Sequence, residues 1–412
     1  MKSAIISIGD ELISGKTINS NAAWMGGQLL LIGVPVLQVT TVGDDVEMIL
    51  SALQQAEQEV EVILITGGLG PTHDDITRSA ICRYLDCGLT RNDAVLEQIR
   101  RLFRHRGLPL VSSNESQAMV PDKVDVVANE RGTAPGYHFK RNGRDFYVMP
   151  GVPHEMKGMM TSLILPELRS RHTGPYFESK IFCTTGIAES ILFEKIGDPS
   201  AVERYAKMAF LPGPAGVQIR LVAEGNSVTD ASTRLTKAGA MILEKAGRYI
   251  YADHETTLEQ TLAELLWQRR ATVAVAESCT GGLISHKLTN ISGSSAFFER
   301  GLVCYSNRAK TELLGVPANL IETEGAVSEA VAIAMAEGVR RIAESDYGLA
   351  TTGIAGPAGG SEEKPVGLVY LALADRHGAC CERHVFSGDR WLNKERFSNS
   401  ALNLLRKKLV EK

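Results

Sequence analysis

Short apolar segments alternate with amphipathic helical segments in two long stretches of the chain, and this alternation limits the fold more than any other feature. In the first stretch, the strands SAIISIG, VPVLQVTTVG and VEVILITGG are separated by the helices NAAWMGGQLLLIG and DVEMILSALQQAEQ. The alternation resumes from TTLEQTLAELLWQRR onward, with strands such as RRATVAV and YGLATTG. Strands that alternate with helices predict mainly parallel sheets covered by helices on both faces. We therefore predict an α/β protein with an N-terminal and a C-terminal α/β region.

The middle of the chain has a different pattern. After the Gly- and Pro-containing linker HTGPYFES, the segment from SKIFCTTG to RYIYA predicts the order β-α-β-β-α-β, which suggests a small α+β sandwich. A chain of 412 residues is also too long for a single core. We predict three domains, at residues 1–172, 175–253 and 255–412. The last of them should fold and work alone.

Composition excludes several classes of function. The 44 Lys and Arg residues against 48 Asp and Glu residues give a net charge of −4, which argues against a protein that coats nucleic acid. The seven cysteines include no CxxC pair and no zinc-ligand spacing, as expected for reduced cytosolic thiols. The first apolar run is broken at Gly9, and no apolar run is long enough to span a bilayer. We predict a cytoplasmic protein with no membrane partner and no nucleic-acid partner.

Acidic residues follow three successive strands of the first region. The pairs are Asp10 and Glu11, Asp44 and Asp45, and Asp74 and Asp75. Because the carboxyl ends of parallel strands lie on one edge of a sheet, these carboxylates are predicted to share a rim where a ligand binds. Carboxylate oxygens suit a divalent metal ion on a polyphosphate, so Asp10, Glu11, Asp44 and Asp75 are the predicted metal ligands. The alternative is that some of these acids cap helices.

The loop TGGLGPTHDD lies between a predicted strand and a predicted helix. Gly67, Gly68 and Gly70 would let the backbone approach a ligand closely, and free N–H groups at the helix start can hold a phosphate. With Thr72, these glycines are the predicted substrate-binding residues of the first domain. The loop matches neither a Walker loop nor GxGxxG. The alternative is a tight turn in which Asp74 or Asp75 caps the helix.

The segment AESCTGG lies between another predicted strand and helix. Ser278 could be a helix cap, a phosphate ligand or a nucleophile. The N–H groups of Cys279, Thr280 and Gly281 could form an oxyanion hole beside it. The histidines of this region lie in no glycine-rich motif, which argues against a Ser-His-Asp triad.

A base for Ser278 can come from VCYSNRAKTELLGV. Lys310, if shielded from water, would lose its charge and accept a proton, and Tyr305 could orient or relay that proton. The alternatives are an ordinary surface lysine and a half-buried tyrosine. The loop ATTGIAGPAGGSEEKPVG can wrap a phosphate or ribose, and Arg390 offers a guanidinium fork suited to a phosphate.

The N-terminal motifs GDELISG, TVGDD, TGGLGPTHDD and PGVPHEM resemble the first domain of the CinA (competence/damage-inducible protein A) family, which is similar to the molybdopterin-binding fold. The resemblance implies metal-dependent hydrolysis of the pyrophosphate of ADP-ribose, with a divalent metal ion as cofactor. One position departs from the family pattern, because Asn19-Ser20-Asn21 stands where Asp-Thr-Asn is usual. The likeness to molybdopterin proteins leaves pterin binding open as an alternative.

The C-terminal motifs AESCTGG, SGSSAFFERG, VCYSNRAK, GAVSE, TTGIAGPAGGSEEKPVG and GDR match the nicotinamide-nucleotide amidase family. The resemblance implies hydrolysis of nicotinamide mononucleotide to nicotinate mononucleotide and ammonia, without a cofactor. It makes Ser278 the nucleophile, assisted by Lys310 and Tyr305. It places Thr352, Gly353 and Arg390 in nucleotide-binding loops.

The whole chain therefore resembles a CinA-type fusion that acts in pyridine-nucleotide salvage. Its domains would be a pyrophosphatase-like domain, a KH-like middle domain and an amidase, in a homodimer. The middle segment lacks the GxxG loop of an RNA-binding KH domain, so no RNA partner is assigned. Two alternatives stay open: a molybdopterin-binding protein of molybdenum-cofactor assembly, and a non-enzymatic partner in DNA uptake.

Overall fold

A computed structural model describes residues 1–72, 75–171 and 173–411 of the chain. The chain forms two compact units. The first comprises Met1–Glu178 with Glu224–Ser232, and the second comprises Ser179–Ala223 with Thr233–Lys412. Of the helices in the described ranges, none combines the length and the apolar character that crossing a bilayer requires.

Within residues 1–72 and 75–171, the N-terminal region contains a six-stranded sheet, a two-stranded sheet and eight α-helices. Its strands are β1 Ser3–Ile8, β2 Val36–Val42, β3 Val62–Thr66, β4 Leu89–Arg91, β5 Met119–Pro121, β6 Asp125–Val127, β7 Gly136–Arg141 and β8 Arg144–Met149. Its helices are α1 Asp10–Ile13, α2 Ser20–Leu31, α3 Val46–Glu59, α4 Thr77–Leu85, α5 Asp93–Arg106, α6 Ser112–Glu115, α7 Pro153–Met159 and α8 Leu165–Arg171. A 3₁₀ turn at Ser116–Ala118 follows α6, and a π-helical turn at Met160–Ile164 joins α7 to α8.

The large sheet has the strand order β2-β1-β3-β8-β7-β6. Strands β2, β1, β3 and β8 are parallel, as predicted, so their carboxyl ends meet at one edge. The last two strands, β7 and β6, run antiparallel to their neighbours. Asn142 and Gly143 join β7 to β8 with φ values of 49° and 77°, and Asn-Gly with two positive φ angles is the preferred two-residue hairpin turn.

The core of this region lies on both faces of the sheet. Strands β1 and β3 are buried along their whole length, which explains their unbroken apolar sequences. Ile49 and Leu53 of α3 pack on one face with Ile81 of α4. Met25 of α2 and Leu168 of α8 pack on the other. The helices thus cover both faces and leave the carboxyl edge of the parallel strands available for a site.

The middle region forms a four-stranded sheet in the order β10-β11-β9-β12. Its strands are β9 Tyr176–Thr184, β10 Lys207–Gly213, β11 Gly216–Gly225 and β12 Ile250–Ala252, and its helices are α9 Glu189–Ile196, α10 Pro199–Glu203 and α11 Val228–Ala246. This is the predicted β-α-β-β-α-β order with one additional short helix. The apolar residues of α9 and α11 pack against one face of the sheet in a small core of their own.

The C-terminal region has a five-stranded sheet in the order β14-β13-β15-β16-β17. Its strands are β13 Val273–Glu277, β14 Phe298–Val303, β15 Tyr347–Gly353, β16 Leu368–Asp375 and β17 Gly378–Val385. Its helices are α12 Leu258–Arg269, α13 Leu283–Thr289, α14 Asn307–Leu314, α15 Ala318–Glu324, α16 Glu329–Ala343 and α17 Arg390–Val410.

The central strand β13 is parallel to both of its neighbours, β14 and β15, whereas β16 and β17 extend the sheet as an antiparallel pair. All five residues of β13 are buried. Residues of α12, α13 and α17 pack on one face of the sheet, and residues of α14 and α16 pack on the other. The carboxyl ends of β14, β13 and β15 therefore meet at one edge, and the turn after β13 lies at its centre.

Candidate active sites

Ser278 lies in the turn that leaves the central strand β13. Its backbone N–H donates to the carbonyl of Thr351 on β15 at 3.0 Å, which fixes the turn to the end of the neighbouring strand. Gly281 and Gly282 have φ values of 62° and 94°, in the left-handed region that favours glycine, and helix α13 begins directly after them. Ser278 thus precedes the helix by five residues and does not cap it. The structure therefore disfavours the cap interpretation.

Lys310 lies on α14 and points at Ser278. Its Nζ donates to the Oγ of Ser278 at 3.1 Å and to the carbonyl oxygens of Cys304 and Tyr305 at 3.0 and 3.3 Å. The lysine is 1% exposed and Ser278 is 8% exposed. The alternative of an ordinary surface lysine does not hold for Lys310, because both partners of the contact are enclosed.

The environment of Lys310 favours its neutral form. Burial lowers the pKa of Lys310, because the low-dielectric surroundings disfavour the charged amine. Ionised thiolates at Cys304 and Cys279 would oppose this effect. However, burial raises the pKa of the Cys279 thiol to about 12 and also raises the pKa of Cys304, so both thiols are neutral at physiological pH. A lysine with a lowered pKa can accept a proton from a hydroxyl.

The other residues of the turn have distinct roles. The Gly281 N–H donates to the Ser278 carbonyl at 3.2 Å, so it closes the turn and is engaged within the protein. None of the hydrogen bonds within residues 173–411 uses the N–H of Cys279 or Thr280, so the prediction that these two groups donate to an oxyanion stays open. The Thr280 hydroxyl is buried and paired with the Thr351 hydroxyl at 2.8 Å.

Glu277 supports this turn, and the sequence analysis did not identify it as a residue of the site. It is 0% exposed, and its carboxylate accepts hydrogen bonds from the backbone N–H groups of Gly282, Ile284 and Ser285 at 2.8 to 3.1 Å. It also accepts from the Ser285 hydroxyl at 2.7 Å. A buried carboxylate at the start of α13 satisfies N–H groups that would otherwise lack partners. The available signal was a charged residue at the end of an otherwise apolar buried strand.

Tyr305 and Arg390 are joined to each other. Tyr305 is 61% exposed, and its hydroxyl accepts a hydrogen bond from Nη2 of Arg390 at 3.1 Å. Nη1 of Arg390 donates to the carbonyl of Gly356, in the glycine-rich loop, at 2.7 Å. Tyr305 therefore contacts Lys310 through its carbonyl and not through its hydroxyl. A proton-relay role for that hydroxyl stays a prediction.

Thr352 and Gly353 end strand β15 beside the turn. Thr352 is 1% exposed, and its hydroxyl donates to the carbonyl of Ala326 at 2.7 Å. A Cβ on Gly353 would lie 2.5 Å from the carbonyl oxygen of Leu368 on β16, so only glycine fits there. The two residues hold the surrounding loops in position, and a direct contact of either with a ligand stays a prediction.

A cavity of about 340 Å³ opens at the carboxyl edge of the first sheet. Glu11, Asp44 and Asp75 line it together with Gly67, Gly68 and Gly70, as the sequence predicted. Asp10 and Thr72 are outside its lining. Glu155, from the PGVPHEM motif, and Gln117, from the 3₁₀ turn, also line the cavity and were not predicted. Glu155 lies in the first turn of α7, which follows β8, and β8 ends at this edge because it is parallel to β3.

The acids after β1 and β2 bind each other's backbone. The Asp10 N–H donates to Oδ2 of Asp44 at 3.0 Å, and the Asp44 N–H donates to Oδ1 of Asp10 at 3.1 Å. Asp45 caps α3 by accepting from the N–H of Met48 at 2.9 Å, so the capping alternative is confirmed for this residue. Asn19, at the position that departs from the family pattern, caps α2 through the N–H of Ala22 at 3.1 Å.

Asp75 organises the glycine-rich loop from within. Its carboxylate accepts from the N–H of Gly70 at 2.7 Å, from the N–H of Thr72 at 2.8 Å, and from the Thr72 hydroxyl. Helix α4 begins only at Thr77, so Asp75 does not cap it, and Asp74 lies outside the described residues. The N–H of Gly67 donates to the carbonyl of Met149 at 3.1 Å. The N–H groups of Gly67 and Gly70 are thus engaged within the protein. The binding of a phosphate by N–H groups at the start of the helix stays a prediction.

Models of three protein families match consecutive parts of the chain. They are described as "Probable molybdopterin binding domain" over residues 4–170, "Damage-inducible protein CinA KH domain" over 179–252 and "CinA C-terminal domain" over 255–409. A "CinA-like protein" of Salinibacter ruber is 42% identical over 411 residues, which cover 99% of this chain and 100% of the relative. The chain belongs to the CinA family. A "CinA-like protein" of Cytophaga hutchinsonii is 37% identical over 408 residues, covering 99% of this chain and 98% of the relative.

Solved structures of the CinA family are also similar to this chain. The competence/damage-inducible protein CihA of Agrobacterium tumefaciens is 40% identical, with a TM-score of 0.36, and covers 37% of this chain and 94% of its own. CinA of Thermoplasma acidophilum is 28% identical, with a TM-score of 0.38, and covers 40% of this chain and 97% of its own.

This member of the CinA family has one triad, among its described residues, whose ligand atoms all lie within 4.8 Å of one another. It consists of His138 on β7, Asp145 on β8 and Glu167 on α8, and it could hold a metal ion. The predicted ligands Asp10, Glu11, Asp44 and Asp75 are not brought together in this way. The triad is also an ion-pair network, because Nη2 of Arg171 contacts Oδ2 of Asp145 at 2.6 Å. Burial acts to raise the pKa of Asp145, but hydrogen bonds from Arg171 and His138 outweigh it and hold this pKa below its usual value.

Proposed function

We propose that the C-terminal region hydrolyses the carboxamide of nicotinamide mononucleotide. The observation that carries this proposal is the 3.1 Å contact between Nζ of Lys310 and Oγ of Ser278 in an enclosed setting. A hydroxyl beside an amine of lowered pKa forms a nucleophile and its base. The choice of substrate rests on the resemblance of AESCTGG and VCYSNRAK to the nicotinamide-nucleotide amidases.

The reaction would proceed in two halves. Neutral Lys310 accepts the hydroxyl proton while Oγ of Ser278 bonds to the carboxamide carbon, and the carbonyl electron pair moves to oxygen. The N–H groups of Cys279 and Thr280 donate to that oxygen. The C–N bond then breaks, Lys310 returns its proton to the leaving nitrogen, and ammonia departs. Water attacks the resulting ester, Lys310 takes a proton from it and passes that proton back to Oγ of Ser278, and nicotinate mononucleotide is released.

The test is release of ammonia from nicotinamide mononucleotide by the full chain. Ser278→Ala and Lys310→Met should each lower turnover by about a thousandfold or more, and the double variant by little more, because the pair acts as a unit. Lys310→Arg should not restore turnover, since a guanidinium stays protonated. The matched control is Lys407→Met, which removes a lysine from the exposed end of α17. Near-normal turnover in Ser278→Ala would contradict the proposal that Ser278 is the nucleophile.

A second proposed activity belongs to the cavity of the first unit. It is the metal-dependent hydrolysis of the pyrophosphate of ADP-ribose, supported by the carboxylates of Glu11, Asp44 and Glu155 in the cavity lining. These oxygens suit a hard divalent cation, and Glu11 and Asp44 are the residues that would hold it. The ion would neutralise the charge of the pyrophosphate oxygens. Asp75 would instead keep the loop in shape, because Gly70 and Thr72 already occupy its carboxylate.

Removal of metal should separate the two activities. A chelator is expected to abolish the release of AMP from ADP-ribose and to leave the release of ammonia from nicotinamide mononucleotide unchanged. Glu11→Gln and Asp44→Asn should each raise the concentration of Mn²⁺ or Mg²⁺ needed for half-maximal hydrolysis. Hydrolysis that survives the chelator would contradict this assignment. Pterin fluorescence that stays with the purified protein would favour the molybdopterin-binding alternative.

A further inference from the structure

Helix α17 brings two cationic side chains to the neighbourhood of the Ser278 turn. Arg390 and Lys394 are four residues apart, so they lie on the same face of the helix. The Nζ of Lys394 lies 3.5 Å from the place that a Cβ on Gly281 would occupy, which puts this amine directly against the turn. Sequence analysis identified Arg390 and did not identify Lys394.

The charge of Lys394 is not balanced within the protein. Its side chain is partly buried, and its Nζ forms no hydrogen bond or ion pair with any residue that the structure describes. Other cations of the same helix have acceptors. Arg396 donates to the carbonyl of Ser387, Arg406 to Asn403, Lys407 to Glu382 and Lys408 to Asp375. A partly buried ammonium with no partner is costly, so its retention beside a reactive turn points to a ligand.

The charge of Arg390 is also unbalanced, since both of its partners are neutral. They are the carbonyl of Gly356 and the hydroxyl of Tyr305. The neighbouring carboxylates are directed elsewhere. Asp389 accepts from the N–H of Leu392, Glu395 pairs with Lys287, and Glu277 accepts from the start of α13. Two cations without an anionic partner therefore lie together at this edge of the sheet.

We propose that Lys394, acting with Arg390, binds the phosphate of the substrate and sets the selectivity for phosphorylated over unphosphorylated carboxamides. A phosphate monoester carries close to two negative charges near neutral pH, which matches one guanidinium and one ammonium. Arg390 presents a fixed fork because the protein holds two of its nitrogens, whereas Lys394 supplies a compact charge on a flexible stem. The inference rests on the proposed amidase function for the identity of the substrate.

The experiment compares two substrates in the full chain. Nicotinamide mononucleotide and nicotinamide riboside carry the same carboxamide, and only the first has a phosphate. Lys394→Met should lower the ratio of their kcat/KM values by about tenfold or more, because only the phosphorylated substrate loses a charge-assisted contact. Lys394→Arg should keep most of the ratio. Lys407→Met, which removes a cation with its own partner, should leave it unchanged. An unaltered ratio in Lys394→Met would overturn the inference.

Binding separates this inference from the proposed reaction. Titration calorimetry of Ser278→Ala with nicotinamide mononucleotide measures affinity without turnover, and the added substitution Lys394→Met should weaken it by about tenfold. If the wild-type chain releases no ammonia but Lys394→Met still weakens binding, the amidase function fails and the phosphate site stands. If ammonia is released and Lys394→Met changes neither binding nor the substrate ratio, the phosphate site fails and the amidase function stands.

Discussion

A buried polar residue either has partners for its polar atoms or marks a place where something else supplies them. Lys310 has three acceptors for its amine, whereas Gln117, 1% exposed at the first cavity, has no partner within the described residues for either end of its carboxamide. Leaving such groups unpaired costs free energy of folding. Lys310 therefore gives a prediction about the pH dependence of stability, and Gln117 gives one about the effect of substitution.

For Lys310, the lowered pKa predicts a pH-dependent contribution to stability. Its value in an unfolded chain is near 10.5, and burial lowers the pKa of Lys310 in the fold. Between the two values the unfolded chain binds more protons, so the free energy of unfolding should rise with pH in that window. Urea titrations at increasing alkaline pH measure the free energy of unfolding of the wild type and of Lys310→Met. The difference between the two values isolates the contribution of Lys310. A difference that is flat, or that falls with pH, would contradict a lowered pKa.

For Gln117, replacement by methionine should stabilise the protein. The variant keeps the shape of the side chain and removes the unpaired carboxamide, which should raise the free energy of unfolding by about 1 kcal/mol. The matched control is Gln98→Met, which should destabilise because Gln98 donates to the carbonyl of Asn129. Urea unfolding measures both. Equal losses of stability in the two variants would show that Gln117 has a partner in solution.

At the scale of the element, the sharp turns after β3 and β13 depend on backbone that only glycine can adopt. Gly67 has φ 115°, and a Cβ there would lie 2.1 Å from the carbonyl oxygen of Ile8. Gly143 in the β7–β8 hairpin also has a positive φ, of 77°, but a Cβ there would meet nothing within 4 Å. The two positions separate the cost of backbone conformation from the cost of a collision.

Gly67→Ala should therefore be far more damaging than Gly143→Ala. Gly143→Ala loses only the free energy needed for the left-handed conformation, about 1 kcal/mol, whereas Gly67→Ala must also displace the end of β1. We expect Gly67→Ala to lower the free energy of unfolding by about 3 kcal/mol or more and to abolish hydrolysis of ADP-ribose. Thermal melting and AMP release measure the two effects. Similar melting temperatures for both variants would disprove the close approach of Gly67 to Ile8.

The sequence predicted those parts of the sites that lie in short motifs at strand ends. Ser278 and Lys310 were paired because a serine nucleophile needs a base, and because AESCTGG and VCYSNRAK match the motifs of the amidase family. The role of Glu277 was not predicted, because its hydrogen bonds to the N–H groups at the start of α13 are visible only in the structure. Gln117 was not predicted to line the cavity, because it lies in a 3₁₀ turn and the sequence analysis considered, for this cavity, only residues at the ends of predicted strands. Asp75 was predicted as a metal ligand, and its hydrogen bonds to Gly70 and Thr72 could not be foreseen because they depend on the fold of the loop.

At the scale of the whole molecule, the second unit combines most of the middle region with the C-terminal region. Helix α17 carries a row of buried polar residues that reach the middle region. Nδ2 of Asn399 donates to the carbonyl of Pro214 at 3.1 Å, and Nη2 of Arg406 donates to the carbonyl of Arg248 at 3.4 Å. Arg406 is 5% exposed, and this burial lowers the pKa of its guanidinium.

A fragment of residues 255–412 is therefore expected to fold with a lower melting temperature than a fragment of residues 175–412. Removal of the middle region takes away the carbonyl partners of Asn399 and Arg406. Adding Arg406→Leu should recover part of the loss in the shorter fragment and should destabilise the longer one, where the partner is present. Calorimetry of the four proteins measures this. Identical melting temperatures for the two unsubstituted fragments would show that the contacts of α17 contribute nothing.

Two of the three acceptors around Lys310 are peptide carbonyls, which can only accept a hydrogen bond, whereas the third is a hydroxyl, which can reverse its polarity. When the amine gives up a proton, the carbonyls of Cys304 and Tyr305 keep the two remaining N–H groups in place. The lone pair then has a single direction, toward Ser278. In a Ser-His-Asp enzyme a third side chain orients the base. Here two peptide groups at the start of a helix do so, and no side-chain substitution can remove them.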